Sequence, residues 1–223
     1  MRSTQPPELE RLQAAIASTP SATRSEARAE RRRLFAVAIL VLTLTALMHG
    51  IPGIVGKPWR YTLTGALGTA LVALSLVRPL LRFFTRAMGP PRDVVRQLGQ
   101  VALPALLCAA ALPYAVAPEA LHGPGTHLLG HAACAALLLG SGGLLAWFGI
   151  RVLRHADPVA PRTTALAIGA AAGALALMVV SLQCSITEPL HGLFTHLLPV
   201  ALLMLASARF GSRALGLASA PRP

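Results

Sequence analysis

Long apolar runs separated by short clusters of arginine, proline and glycine are the dominant pattern of the chain, and the lengths of the runs set the architecture. A helix that crosses about 30 Å of hydrocarbon needs about 20 mainly apolar residues. Six segments have that length and character: 34–51, 62–83, 98–117, 127–150, 163–183 and 192–208. Within lipid no water serves the backbone N–H and C=O groups, so each span must satisfy them internally as a helix. The pattern therefore predicts an all-α, polytopic membrane protein with six transmembrane helices. Pro104, Pro113 and Pro199 fall inside spans and predict kinks. Gly169 and Gly173, preceded at the same spacing by Ala165, predict a face on which another helix backbone approaches closely.

Composition supports the bilayer as solvent. Hydrophobic residues make up 54% of the 223 positions, charged residues 13%, and the mean hydropathy is +0.61, a balance unlike that of a soluble domain. A net charge of +12 raises the question of nucleic acid. With 4% aromatic residues and arginines confined to the gaps between apolar runs, the charge reads as a topology signal, and no direct nucleic-acid partner is expected.

The distribution of that charge orients the chain. Eighteen of the twenty Lys and Arg residues lie before the first span, in or around the second and fourth connectors, or in the tail, and only Lys57 and Arg60 lie in the first connector. Positive residues stay in the cytoplasm, so both termini are expected there. The layout is then a cytoplasmic segment 1–33, a bundle 34–208 and a basic tail 209–223. The first span lies far from the start and lacks a small-residue cleavage site, so it is expected to remain as an anchor.

In segment 1–33, Leu9, Leu12 and Ile16 recur at helical spacing, and Arg28, Arg31, Arg32 and Arg33 follow in a charged stretch that runs into the first span. Such a segment buries too little to fold alone. It reads either as a docking helix completed by a partner protein or as a basic juxtamembrane stretch touching anionic headgroups.

Candidate chemistry gathers on the opposite side. Six of the seven histidines fall near the outer boundary, and Cys134 and Cys184 join them, whereas Cys108 lies mid-span and is expected to be a small buried residue. His127, His131 and Cys134 stand four and three residues apart and share a helix face. Imidazole and thiolate suit zinc or copper, and Cys184, Glu188, His191 or His196 would complete a site from the neighbouring hairpin. A reversible Cys134–Cys184 disulfide and bis-histidine haem ligation between helices are the other chemistries this set allows. Histidines that merely meet water at a membrane boundary are the plain alternative. With three cysteines, no C-x-x-C pair, and neither Walker A, G-x-S-x-G nor H-E-x-x-H, no enzyme activity is expected and no cofactor is required.

The segment RHADPVAPRTTALAIGAAAGALALMVVSLQCSITEPLHGLFTHLLPVALL, residues 154–203, resembles the NrsF-type family of six-span bacterial anti-sigma factors. The shared elements are a basic proline-containing loop, an Ala/Gly-rich span ending in cysteine, and a short acidic connector leading to paired histidines. Cys134 falls where members place a cysteine near the start of the fourth span. Thr195 departs from the aromatic that many members have, and the N-terminal segment carries no motif of the family. The resemblance implies a multi-pass inner-membrane protein that sequesters a cytoplasmic extracytoplasmic-function sigma factor and releases it on a signal. Length, basicity and the lack of a soluble domain are similar to the light-response, carotenogenic branch of such regulators, which makes light or oxidative stress the implied signal. A metal- or haem-binding redox protein of the membrane is the alternative that the histidines keep open.

Overall fold

The computed structural model describes residues 24–49, 57–81, 92–119, 128–153 and 160–216. Among them the chain is helical throughout, with no strand. The helices are α1 (Arg24–His49), α2 (Trp59–Leu81), α3 (Arg92–Val116), α4 (Leu128–Leu153) and α5 (Pro161–Gln183). A last helical run, α6, is made of Pro189–His191, a wide turn at Gly192–Leu197, Leu198–Ala206, a second wide turn at Ser207–Gly211, and Ser212–Gly216. The described residues of each predicted span lie almost wholly on one of these helices.

Four stretches are long and apolar enough to cross a membrane: Trp59–Arg78, His131–Leu153, Pro161–Gln183 and Pro189–Leu215. Helix α3 contributes a shorter apolar stretch, Gln100–Val116. Helix α1 continues its first, arginine-rich turns without a break into the apolar residues from Leu34 onward.

The bundle is built around α5, which touches all five other helices. Burial shows the difference in role, since 72% of the apolar window of α5 is buried against 17% for α2. The cause is side-chain size. Ala165, Ala167, Gly169, Ala170, Ala171, Ala172, Gly173, Ala174 and Ala176 are all buried, so neighbouring backbones come close on every side. Large side chains face outward instead: Leu63, Leu67, Leu71 and Leu74 form an exposed stripe along α2, and Leu198, Leu202 and Leu205 do so along α6. Small residues inside and leucine outside is the arrangement lipid rewards, because leucine gains nothing by leaving a hydrocarbon solvent.

The Ala165–Gly169–Gly173 face packs against α6 in antiparallel register. A Cβ on Gly173 would stand 2.7 Å from Val200 Cγ1, one on Gly169 2.8 Å from Ser207 Cβ and 3.0 Å from Met204 Cα, and one on Gly211 3.2 Å from Ala165 Cβ. The predicted close approach is therefore the α5–α6 seam. A second seam brings Gly65 and Gly68 of α2 against Pro113 and Ala109 of α3.

The mid-span Cys108 is exposed on the outside of α3, contrary to the expectation of a buried residue. Every residue from Val101 to Leu112 around it is apolar, so no polar position there tells an inward face from an outward one.

Candidate functional site

Helix α5 ends at Gln183, where Cys184 turns to extended geometry (φ −71°, ψ 124°) while its N–H still donates to Val180 O at 2.8 Å. Residues 184–188 are non-helical, and Pro189, with its φ already set for a first turn, starts α6. This five-residue connector places Cys184 beside the first turn of α6 and the early turns of α4.

The His191 and His196 side chains converge because of the wide turn. Five residues apart on a regular α-helix, at 3.6 residues per turn, they would point about 140° away from one another. Over Gly192–Leu197 the bonding widens to i→i+5, seen in Leu198 N–H donating to Leu193 O, and residues five apart then lie nearly one above the other. Pro199 supplies a reason for the widening: it has no N–H to give to Thr195 O and its ring crowds that carbonyl. The Thr195 hydroxyl donates back to His191 O in the same turn. The two imidazoles meet edge to face, with ring centroids 5.0 Å apart.

Four side chains meet at this point. The ligand atoms of Cys134 on α4, Cys184 on the connector, and His191 and His196 on α6 all lie within 4.8 Å of one another. His191 Nε2 is 3.1 Å from Cys184 Sγ, and its Nδ1 is 3.0 Å from His131 Nδ1 on α4. His191 is fully buried, and His196 Nε2 is buried without a hydrogen-bond partner. All three cysteines are free thiols.

Electrostatics single out Cys184. The Cys134 thiol beside it holds the Cys184 thiol well below its ordinary range against the opposing cost of burial, and the His191 and His196 imidazoles add to that effect. Lys57, just before α2, is buried and faces the same thiols. Burial pushes its ammonium below the usual lysine range, while the charges of Cys184 and Cys134 pull it back up.

A cavity of about 300 Å³ opens beside the cluster between α2, α3 and α6. Lys57, Tyr61, Tyr114, Ser181 and His196 line it. Tyr61 and Tyr114 meet edge to face with ring centroids 5.1 Å apart, and Lys57 Nζ sits 5.3 Å from the Tyr61 ring centroid. His196 is thus the member of the cluster that borders this cavity.

Of the residues the sequence nominated, Cys134, Cys184, His191 and His196 come together, and His131 stands one bond behind them. Glu188 stays outside the group: it enters the local structure through its carbonyl, which accepts from Gly192 N–H at 3.1 Å, because Pro189 starts the helix directly after it. His127 lies outside the described residues, as do Leu9, Leu12 and Ile16. Arg28 and Arg31 lie on α1, and Arg32 and Arg33 are exposed there.

Three contributors carried little sequence signal. Lys57 is the sole lysine of the chain and, with Arg60, one of two basic residues that stand apart from the arginine clusters, which was its only mark. Thr195 read as a departure from a family pattern. Gln183 donates from Nε2 to Thr45 O at 2.6 Å and Ala46 O at 3.1 Å, holding carbonyls in the last turn of α1.

The sequence profile of the NrsF family, described as negative regulator of sigma F, matches residues 15–216. No curated protein and no solved structure matches the chain.

Proposed function

The chain belongs to the NrsF family of negative regulators of sigma F, and from that premise we propose that it holds an extracytoplasmic-function sigma factor at the inner membrane and frees it on an environmental signal. The family match across residues 15–216 is the observation that carries this reading. Inhibition is by occlusion: Leu9, Leu12 and Ile16, with Arg28, Arg31, Arg32 and Arg33, cover the surface through which the sigma factor binds RNA polymerase. Arginine-rich loops on the same side add charge against acidic patches of the partner. Both termini are then cytoplasmic, and the Cys134/Cys184 cluster opens to the other side.

Release needs a two-state element that the signal biases. The cluster at one end of the bundle supplies the chemistry, with light-generated oxidant or oxidative stress as the signal acting on its thiols. Helix α1 supplies the connection. Its far end is held by Gln183, the residue before Cys184, and its near end carries the arginines of the docking segment. A change at Cys184 that moves Gln183 is thereby felt along one continuous helix.

Affinity purification of the full chain from its own membranes, with mass spectrometry before and after light or oxidant, tests the reading. A sigma factor recovered before and lost after is expected. Recovery of no sigma factor, together with silent sigma-dependent promoters in a deletion strain, would sink it. Removing residues 6–17 is expected to free the partner; full retention would move the dock to the loops.

The cluster also favours a second reading, a membrane redox protein that binds metal or haem. A Soret band in the purified protein without any sigma factor would support that reading over the first.

A further inference from the structure

The cluster has the composition and spacing of a coordination sphere. In a tetrahedral centre, with bonds of about 2.3 Å to sulfur and about 2.0–2.1 Å to nitrogen, neighbouring ligand atoms stand roughly 3.3–3.8 Å apart. Four candidate ligand atoms already within 4.8 Å of one another need only small side-chain rotations to reach that geometry. The four come from three separate segments, α4, the connector and α6, so the helix packing itself holds them together.

We propose that Cys134, Cys184, His191 and His196 form a four-ligand site for a thiophilic d¹⁰ cation, Zn(II) or Cu(I), with His131 as the positioning residue that fixes the tautomer of His191. Two thiolates and two imidazoles are the donor set these ions share. The His191 ring is oriented as a ligand from both sides: Nε2 faces Cys184 Sγ at 3.1 Å, and Nδ1 meets His131 Nδ1 at 3.0 Å. With Nδ1–H donating to His131, the Nε2 lone pair points at the thiol where the ion would sit, which is how a supporting group behind a ligating histidine works.

His196 gives an independent indication. Its Nε2 is buried without a hydrogen-bond partner, an arrangement that costs free energy unless something else satisfies the atom. The wide turn at Gly192–Leu197 is what puts this imidazole on the same side as His191, and such turns inside helices recur at functional sites. Charge also balances. Two thiolates neutralise a divalent ion, and for a monovalent ion the remaining negative charge faces Lys57. In this proposal the cavity that His196 borders is the side from which the ion enters. The inference concerns this site alone and holds whatever the chain binds at its arginine-rich end.

The test uses the full chain in detergent under reducing conditions. Titration with Co(II), a spectroscopic stand-in for Zn(II), is expected to give one equivalent bound, with a thiolate charge-transfer band and the intense visible bands of a tetrahedral centre. Competition with a chromogenic Cu(I) chelator measures the monovalent arm. Cys134→Ser and Cys184→Ser should abolish the charge-transfer band, and His196→Gln should weaken binding of whichever ion is held. His131→Leu should lower affinity by about 10–100-fold, while His131→Gln, whose amide oxygen still accepts from Nδ1–H, should restore most of it. Circular dichroism and size-exclusion profiles matching the parent keep each variant interpretable. Folded parent protein that binds neither ion stoichiometrically, or that gives only the weak bands of six-coordinate cobalt, overturns the site. Equal affinities for the His131→Leu and His131→Gln variants overturn the positioning role.

Discussion

Gln183 of α5 donates from Nε2 to the carbonyl oxygen of Thr45 in α1 at 2.6 Å, so the residue preceding Cys184 holds the last turn of the helix whose first turns carry Arg28, Arg31, Arg32 and Arg33. A side-chain amide that serves two carbonyls is a strong link away from water, because losing it leaves both without that donor. Gln183→Leu keeps the volume and removes the donor. We expect it to cost about 1 kcal/mol of stability and to blunt signal-dependent release of the sigma factor while leaving retention before the signal intact. A promoter-reporter dose response in cells measures this, and an unchanged response would cut α1 out of the path.

The two clustered thiols and the exposed Cys108 make a matched set for mutagenesis. Serine at 134 or 184 nearly preserves size and loses the soft sulfur. Each of Cys134→Ser and Cys184→Ser is expected to abolish induction by light or oxidant with the sigma factor still bound. Cys108→Ser should respond like the parent, since that side chain faces outward and touches none of the cluster. Normal induction in both clustered variants would reduce those thiols to packing.

Seam geometry predicts opposite outcomes for two glycines. Alanine at 169 would place its methyl group 2.7 Å from Ser207 Oγ and 3.0 Å from the Met204 backbone, and the backbone cannot rotate away. Gly169→Ala should therefore destabilise the α5–α6 seam by about 1–3 kcal/mol. Gly140 has nothing within 4 Å of its would-be Cβ, so Gly140→Ala should be neutral or stabilise α4 by up to about 1 kcal/mol through helix propensity. Thermal unfolding in one detergent compares them directly. Equal midpoints would mean that the seam gives way more easily than its spacing implies.

How far these relationships could be read beforehand follows from the physics of each signal. Helix positions were legible because apolar length and arginine clusters report directly on the bilayer, and Ala165, Gly169 and Gly173 announced a close contact without naming α6 as its partner. The inward face of α3 was not legible, and Cys108 was misplaced for that reason. The meeting of Cys134 with Cys184 was open to sequence reasoning, since both close the same end of adjacent spans. That His191 and His196 share a face was not, because regular helical periodicity sets residues five apart on diverging faces and only the wide turn at Gly192–Leu197 reunites them. Glu188 was nominated by proximity in sequence, which says nothing about the direction its side chain takes after Pro189 begins a helix.

Lys57 tests the electrostatics of the cluster. Burial is the largest influence on it and lowers its proton affinity, outweighing the pull of the Cys184 and Cys134 charges. A lysine whose affinity is lower in the folded state penalises folding while it is charged. That penalty is complete while the folded lysine keeps its proton and fades as pH rises through its lowered folded value toward 10.5, where the unfolded lysine also loses its proton. Lys57→Met removes the charge and keeps much of the stem packed over Tyr61. In metal-free protein at pH 7 it should raise the midpoint by about 2–4 °C, the shift that about 1 kcal/mol produces in a chain of this length. The advantage should shrink steadily in buffers approaching pH 10. A variant less stable than the parent at pH 7 would instead make the thiolates the dominant partner, with Lys57 as the counter-charge that holds them in the fold.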